Sequence, residues 1–180
     1  DVYKRQDNGL AAILYNSASV TARVGNNNKV TITEQTKYPF EDTIQLQVHP
    51  TAPAHFPLYL RIPAWCNGAQ VFINGKLQSH ESLPSTFTRI EKNWQKGDRV
   101  TIVLPRKLAI HTWTANKNSV SINYGPLTFS LKIPERYEQR DSRVSAIADS
   151  RWQQHADSKQ WPSYEIFPAG SWNYGLCLEE

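Results

Sequence analysis

The 180-residue sequence contains no methionine, only two cysteines and only eight glycines. No C-x-x-C pair is present, so a zinc ribbon or a thioredoxin-like redox centre lacks its ligands. The scattered glycines form no phosphate-binding loop, and no G-x-S-x-G turn occurs. No apolar run approaches the ~18 residues of a membrane-spanning helix. Because no natural start is visible, we expect the chain to be a fragment of a longer protein.

The charge of the chain is low and evenly spread. A net charge of +4 arises from 20 basic and 16 acidic residues, and no block of like charges appears. A nucleic-acid surface needs clustered basic residues, so we expect neither a nucleic-acid nor a membrane partner. The two cysteines, Cys66 and Cys177, lie far apart in sequence, and this spacing does not decide whether they pair or remain free thiols.

Alternation of apolar and polar residues is the dominant pattern between residues 10 and 133. Ile44, Leu46 and Val48 alternate with glutamines, and Asn74-Gly75 is a strong hairpin signal. Prolines fall at the ends of the apolar runs, as expected for residues that cannot donate to a β-ladder. The pattern predicts an all-β, antiparallel β-sandwich of jelly-roll-like topology. Its strands are predicted over 10–15, 20–24, 29–33, 43–48, 58–62, 70–73, 87–91, 99–104, 108–113, 119–123 and 127–133.

Composition divides the chain into three parts. Residues 1–6 differ in character from the rest of the chain and look like a non-native junction sequence, so we leave them out of the fold. Residues 7–133 form the predicted sandwich. Residues 134–180 are polar and predicted to be mostly irregular, leading to a further, missing domain. Within them, residues 144–152 fit either one short amphipathic helix or a long loop, and residues 161–176 are aromatic again.

No catalytic or metal-binding constellation is evident in the sequence. Glycoside hydrolysis usually needs two carboxyl groups about 5 to 10 Å apart, which sequence spacing across a sandwich does not reveal. Asp98 follows Lys96-Gly97 and is expected in a turn, and Glu34, at a strand end, is expected to be solvated. The histidines lack the close spacing of a ligand pair. The other acidic candidates are Glu41, Asp42 and Glu135, and the histidines are His49, His55, His80, His111 and His155.

Aromatic residues give the only binding signal. Trp65 and Trp113 follow strand ends, where an indole ring can stack on a sugar. The competing interpretation is that both rings cover the open ends of the sandwich or dock onto a neighbouring domain. We keep both as sugar-contact candidates beside that interpretation.

An ordered set of segments resembles the β-L-arabinofuranosidase family, glycoside hydrolase family 127, once catalogued as a domain of unknown function. The set runs in order and with sensible gaps through residues 8–133. It consists of Thr31–Phe40, Phe56–Trp65, Val71–Gly75, Trp94–Pro105 and Tyr124–Leu127.

The resemblance implies an (α/α)6 barrel followed by β-sandwich domains. It places catalysis in the barrel, by a zinc-bound cysteine nucleophile from a Cys-Cys segment and a glutamate acid/base. Neither Cys66 nor Cys177 lies in such a segment, so no catalytic, zinc-binding or other cofactor role transfers to this chain. The compartment stays open, with the periplasm or the cell exterior suggested only by analogy.

Three functions therefore remain. The first is a non-catalytic accessory sandwich of a carbohydrate-metabolising hydrolase that braces the missing catalytic barrel, with a plant-type glycan as the parent's substrate. The second is a carbohydrate-binding module. The third is a structural or adhesive sandwich, which predicts a large apolar surface on one face.

Overall fold

A computed structural model describes residues 2–79, 82–140, 159–160, 162–171 and 175 of the chain. The chain forms two units, Asp1–Phe129 and Ser130–Glu180. Cys177, His80 and His155 lie outside the described residues, as do residues 144–152, for which a helix or a loop was predicted. No helix among the described residues is long and apolar enough to cross a membrane.

The first unit contains three sheets. The first sheet has the strand order β1-β2-β6-β9, the second β3-β4-β5-β10-β7-β8, and the third β11-β12-β13. The strands are β1 (Val2–Lys4), β2 (Leu10–Ala12), β3 (Ala18–Val24), β4 (Asn28–Thr36), β5 (Thr43–Pro50), β6 (Ala54–Ile62), β7 (Gln70–Ile73), β8 (Lys76–Leu77), β9 (Thr86–Trp94), β10 (Asp98–Val103), β11 (Leu108–Trp113), β12 (Ser119–Tyr124) and β13 (Leu127–Phe129).

The alternating strands of the first two sheets build one shared core. In β5, Ile44, Leu46 and Val48 are fully buried, whereas the residues between them are half-buried. The same alternation in β6 buries Leu58 and Leu60. Side chains that alternate along a strand point to opposite faces of the sheet, so each sheet presents one apolar face to this core. The predicted all-β class is confirmed, and the jelly-roll topology stays a prediction.

Phe56 and Trp94 are the largest side chains in this core. Their ring centroids lie 5.8 Å apart. The Trp94 indole N–H donates a hydrogen bond of 2.9 Å to the backbone carbonyl of Phe56. Both residues are buried, so the polar end of the indole is satisfied where water is excluded.

Two turns at one edge of the second sheet are held by the Asp98 carboxylate. It accepts hydrogen bonds from the Asn74 side-chain amide at 2.7 Å and from the Gln95 backbone N–H at 2.8 Å, and pairs with Lys92. Although burial opposes ionisation, these contacts lower the pKa of Asp98. Gly75, at φ 81°, completes the predicted Asn-Gly turn. The expected turn role of Asp98 is confirmed.

One strand pair departs from the predicted antiparallel arrangement. β2 runs parallel to β6, with Leu10 opposite Leu58. The chain leaves the first sheet after β2, makes β3, β4 and β5 in the second sheet and then returns, and such a crossover permits parallel pairing. The residues excluded as a junction also contribute, because Val2–Lys4 pairs with β2. The predicted strand 10–15 ends at Ala12, since the Tyr15 hydroxyl turns inward to donate to the Arg61 carbonyl at 2.8 Å.

Arg106 joins the third sheet to the sandwich. Its guanidinium pairs with the Asp42 carboxylate, donates to the Pro39 carbonyl at 3.0 Å and lies 4.7 Å from the centroid of the Tyr124 ring. A Cβ on Gly125 would lie 2.5 Å from Arg106 Cγ, and the φ of Gly125 is 59°. Glycine is therefore required where this turn passes the arginine.

The second unit contains a two-stranded antiparallel sheet, β14 (Glu135–Arg140) and β15 (Ser163–Pro168). These two strands lie within the segment that was predicted to be mostly irregular. Cross-strand contacts stabilise the pair: Arg140 bonds Glu165 at 2.9 Å, and the rings of Tyr137 and Tyr164 lie 6.4 Å apart. The two strands are far apart in sequence, so no short turn connects them and the sequence contains no hairpin signal that predicts their pairing.

Replacing Phe56 tests the shared core. The Phe56 side chain is 1% exposed and that of Phe40 is 72% exposed. We expect Phe56→Ala to lower the free energy of unfolding by ~3–5 kcal/mol, because it leaves a cavity. The same change at Phe40 should cost about 0.5 kcal/mol or less. Urea unfolding of both variants measures the difference, and equal losses would contradict the assigned core.

Candidate functional site

Two acidic side chains are buried among the described residues, Glu34 and Asp98. Asp98 forms a salt bridge with Lys92, whereas Glu34 forms no salt bridge with a cationic side chain of those residues. Glu34 lies near the end of β4, where the alternation that buries Val30 and Ile32 also points Glu34 inward, and it is only 4% exposed. The Asn16 backbone N–H donates to its Oε1 at 2.8 Å. A carboxyl group in such surroundings has the environment of a functional acid.

Burial raises the pKa of the Glu34 carboxyl to about 7, and the hydrogen bond from Asn16 opposes this only in part. Desolvation disfavours the charged form of a carboxylic acid. The group is therefore poised to exchange a proton near neutral pH. The pKa of the nearby Tyr15 hydroxyl is also raised. Burial is the main cause, and the negative charge of the Glu34 carboxylate is the second.

A cavity of about 440 Å³ opens beside Glu34, between β1 of the first sheet and the edge strand β3 of the second. Its lining is mixed, with apolar Val20 and Ile32 and polar Ser19. Two of its walls, Val2 and Tyr3, belong to the segment that the sequence marks as a junction. The cavity provides room for a small molecule but holds only one ionisable group of unusual pKa.

Trp65 follows the end of β6. It is half-buried against the core and hydrogen-bonds to Tyr38, whose ring meets that of Tyr15 edge-on at 6.2 Å. The neighbouring Cys66 is fully buried. Both interpretations of Trp65, a cover for the sandwich end and a sugar contact, stay predictions.

Trp113 has different surroundings, at the end of β11 in the third sheet. Its side chain is 53% exposed. The indole N–H donates to the Ser121 hydroxyl at 3.2 Å, and the ring meets His111 edge-on at 4.3 Å. None of these neighbours is shared with Trp65, so the recorded contacts do not bring the two sugar-contact candidates into one site.

The remaining acidic candidates make structural contacts. Asp42 pairs with Arg106, Glu41 with Lys37 at 2.9 Å, and Glu135 accepts from the Tyr137 hydroxyl. Among the described residues, no three His, Cys, Asp or Glu side chains come together as metal ligands would.

The expectation that Glu34 is solvated is wrong. Its position two residues after Ile32, within a strand that alternates strictly, placed it on the buried face. The period-2 pattern contained this signal, and the prediction instead followed the residue's charge. No sequence signal indicated the Asn16 contact, because Asn16 lies in a loop before β3.

The family comparison settles where this domain belongs. A family model described as the β-L-arabinofuranosidase, GH127 middle domain, matches residues 9–106, just over half of the chain. This chain belongs to the GH127 family. The match covers the first two sheets from β2 to β10 and ends at Arg106, the residue that joins the third sheet. The resemblance inferred from the sequence is therefore confirmed.

Solved structures share the fold of this GH127 domain. A protein titled a glycoside hydrolase matches with a TM-score of 0.62 and 26% identity, over 68% of this chain and 21% of its own. A GH127 β-L-arabinofuranosidase from Geobacillus stearothermophilus T6 matches with a TM-score of 0.63 and 22% identity, over 91% of this chain and 31% of its own. The GH127 β-arabinofuranosidase BT3674 matches with a TM-score of 0.61 and 19% identity, over 76% of this chain and 27% of its own.

The GH127 domain therefore spans about a fifth to a third of the solved chains that it matches. A comparison with curated proteins finds no match.

The buried Glu34 carboxyl predicts an unusual dependence of stability on pH. Its pKa is about 7 in the folded protein and about 4.3 in an unfolded chain. Between these values the folded state holds a proton that the unfolded state has released, so this group's contribution falls as pH rises from about 4.3 to 7. We expect Glu34→Gln to remove this fall in the urea midpoint, whereas Glu41→Gln should retain it. A wild-type midpoint whose pH profile matches that of Glu34→Gln would contradict the assignment.

Proposed function

We propose that this chain is a non-catalytic, structural part of a GH127 β-L-arabinofuranosidase. It would brace a catalytic domain that lies elsewhere in the full-length protein. The match to the family's middle domain supports this proposal. So does the small share of the solved relatives that the chain covers.

The observation that carries the proposal is that the acidic side chains beside the core form structural salt bridges and hydrogen bonds. Asp42 and Asp98, the acidic candidates beside the sandwich core, each hold a cation and a turn or strand end. Glu34 is left as the only buried carboxyl among the described residues with a raised pKa. Glycoside hydrolysis needs a nucleophile or base beside such an acid, usually a second carboxyl group, and no second carboxyl group of this kind is found among those residues. The residues thus provide structural ties and one isolated acid.

The zinc-bound cysteine of the family does not fit the part of this chain that the structure describes. Burial, followed by the nearby Asp42 carboxylate, raises the pKa of the Cys66 thiol to about 11. Cys66 is fully buried, and among the described residues no three His, Cys, Asp or Glu side chains come together to hold a metal with it. No step of a zinc-dependent reaction is therefore assigned to this part of the protein.

The absence of catalysis can be measured directly. We expect the purified 180-residue chain to release no chromophore from a nitrophenyl β-L-arabinofuranoside above the rate of buffer. Glu34→Gln should give the same result. Turnover by the chain that is lost on Glu34→Gln would make Glu34 a catalytic acid and overturn the proposal. A full-length family member serves as the positive control.

A second candidate function is carbohydrate contact at Trp113. The exposure of this ring, together with the imidazole of His111 at its edge, is the observation that favours it. Stacking of a sugar on an indole uses the apolar face of the ring. The ligand would be a plant-derived arabinan or an arabino-oligosaccharide.

Carbohydrate contact predicts a change of tryptophan fluorescence when arabino-oligosaccharides are added to the chain. Trp113→Ala should abolish that change. Trp65→Phe should retain it, because Trp65 is half-buried and bonded to Tyr38. A titration of the unmodified chain that yields neither heat nor a fluorescence change would remove this second function and leave the structural one intact.

A further inference from the structure

The third sheet has two chemically different faces, which its register defines. Leu108 lies opposite Tyr124, Ile110 opposite Ile122, and Thr112 opposite Val120. β13 adds Phe129 opposite Ile122 and Leu127 opposite Tyr124. Because alternate residues share a face, all of these side chains lie on one side. The residues of this apolar face are Leu108, Ile110, Thr112, Val120, Ile122, Tyr124, Leu127 and Phe129.

The opposite side of the sheet is polar. It carries His111, Ser121, Asn123 and Thr128, with Trp113 at one end. An antiparallel sheet that alternates in this way normally packs its apolar side on a core and leaves its polar side in water. The pattern of the third sheet is therefore that of a sheet with a covered side.

The apolar face is nevertheless exposed in this structure. Leu108 is 67% exposed, Phe129 54% and Ile110 44%, and the face contains no charged residue. Contiguous exposed apolar surface of this kind marks an interaction site on a soluble protein. Arg106, which stacks on Tyr124, fixes the turn of the sheet next to the sandwich.

The size of the face argues against a second copy of the chain as its cover. Two strands of six residues and one of three, spaced ~4.8 Å apart, present roughly 240 Å² in projection. A stable complex of separate molecules buries about 800 Å² on each partner. A small face of this kind is suited to a partner on the same polypeptide, where tethering gives a high effective concentration.

The length of the solved relatives is consistent with such a partner on the same polypeptide. The middle-domain match ends at residue 106, immediately before β11, and the solved relatives have chains about three to five times as long as the matched part. We propose that the apolar face of the third sheet is where the catalytic domain of the full-length enzyme docks. This inference rests on the proposed bracing function and names the surface that performs it.

The test uses two single substitutions in the full-length protein. Ile110→Lys places a charge in the centre of the apolar face, and Ala109→Lys places the same charge on the opposite side of the same strand, where Ala109 is also exposed. We expect the wild type and Ala109→Lys to unfold in one calorimetric transition. Ile110→Lys should split the transition in two and make the connection between the domains sensitive to limited proteolysis.

Two measurements on the 180-residue chain keep the outcome decisive. Ile110→Lys should leave its melting temperature unchanged, which shows that the substitution does not unfold the chain itself. Sedimentation at about 100 μM should show a monomer. A dimer that Ile110→Lys dissociates would assign the face to a second copy and overturn the inference, as would an unsplit transition in the full-length variant. Either result is distinct from failure of the bracing function, which arabinofuranosidase activity of the isolated chain would reveal.

Discussion

The structure depends on one constraint, the strict inward alternation of side chains on strands that belong to two facing sheets. Ile44, Leu46 and Val48 from one sheet and Leu58 and Leu60 from the other are withdrawn from water only together. Neither sheet could bury these residues alone, because each has a single apolar face. The central pair of rings, Phe56 and Trp94, then contributes both apolar area and a satisfied indole N–H.

The same constraint explains how Glu34 became unusual. Its neighbours at alternate positions, Val30 and Ile32, are core residues, so the backbone directs a carboxyl group toward an apolar space. Without a cationic side chain in its recorded contacts, the group responds to burial by retaining its proton. The raised pKa of Glu34 thus follows from its inward position on the strand and does not require a group of catalytic side chains around it. By contrast, Asp98 and Asp42 pair with cationic side chains and tie turns and strand ends together.

Local pattern predicted the elements better than it predicted their pairing. The Asn74-Gly75 turn and the strands around it followed from turn chemistry and alternation, both of which act over a few residues. The parallel pairing of β2 with β6 did not, because it arises from a crossover through the second sheet. The β14–β15 pair was missed for a related reason, since the two strands are distant in sequence and β14 is rich in charge. Residue type alone predicted Trp65 and Trp113 as sugar contacts, and the different surroundings of the two rings depend on tertiary contacts that the sequence does not show.

The parallel pair also has a consequence for how the protein is made. As the polypeptide emerges from the ribosome, β2 (residues 10–12) cannot pair with β6 until residues 58–60 have emerged. β6 in turn cannot pair with β9 on its other side until residues 86–94 have emerged. Contacts so distant along the chain slow the search for the native arrangement. β2 therefore stays without its β6 neighbour until β3, β4 and β5 have also been made, and until then its apolar residues depend on protection during synthesis.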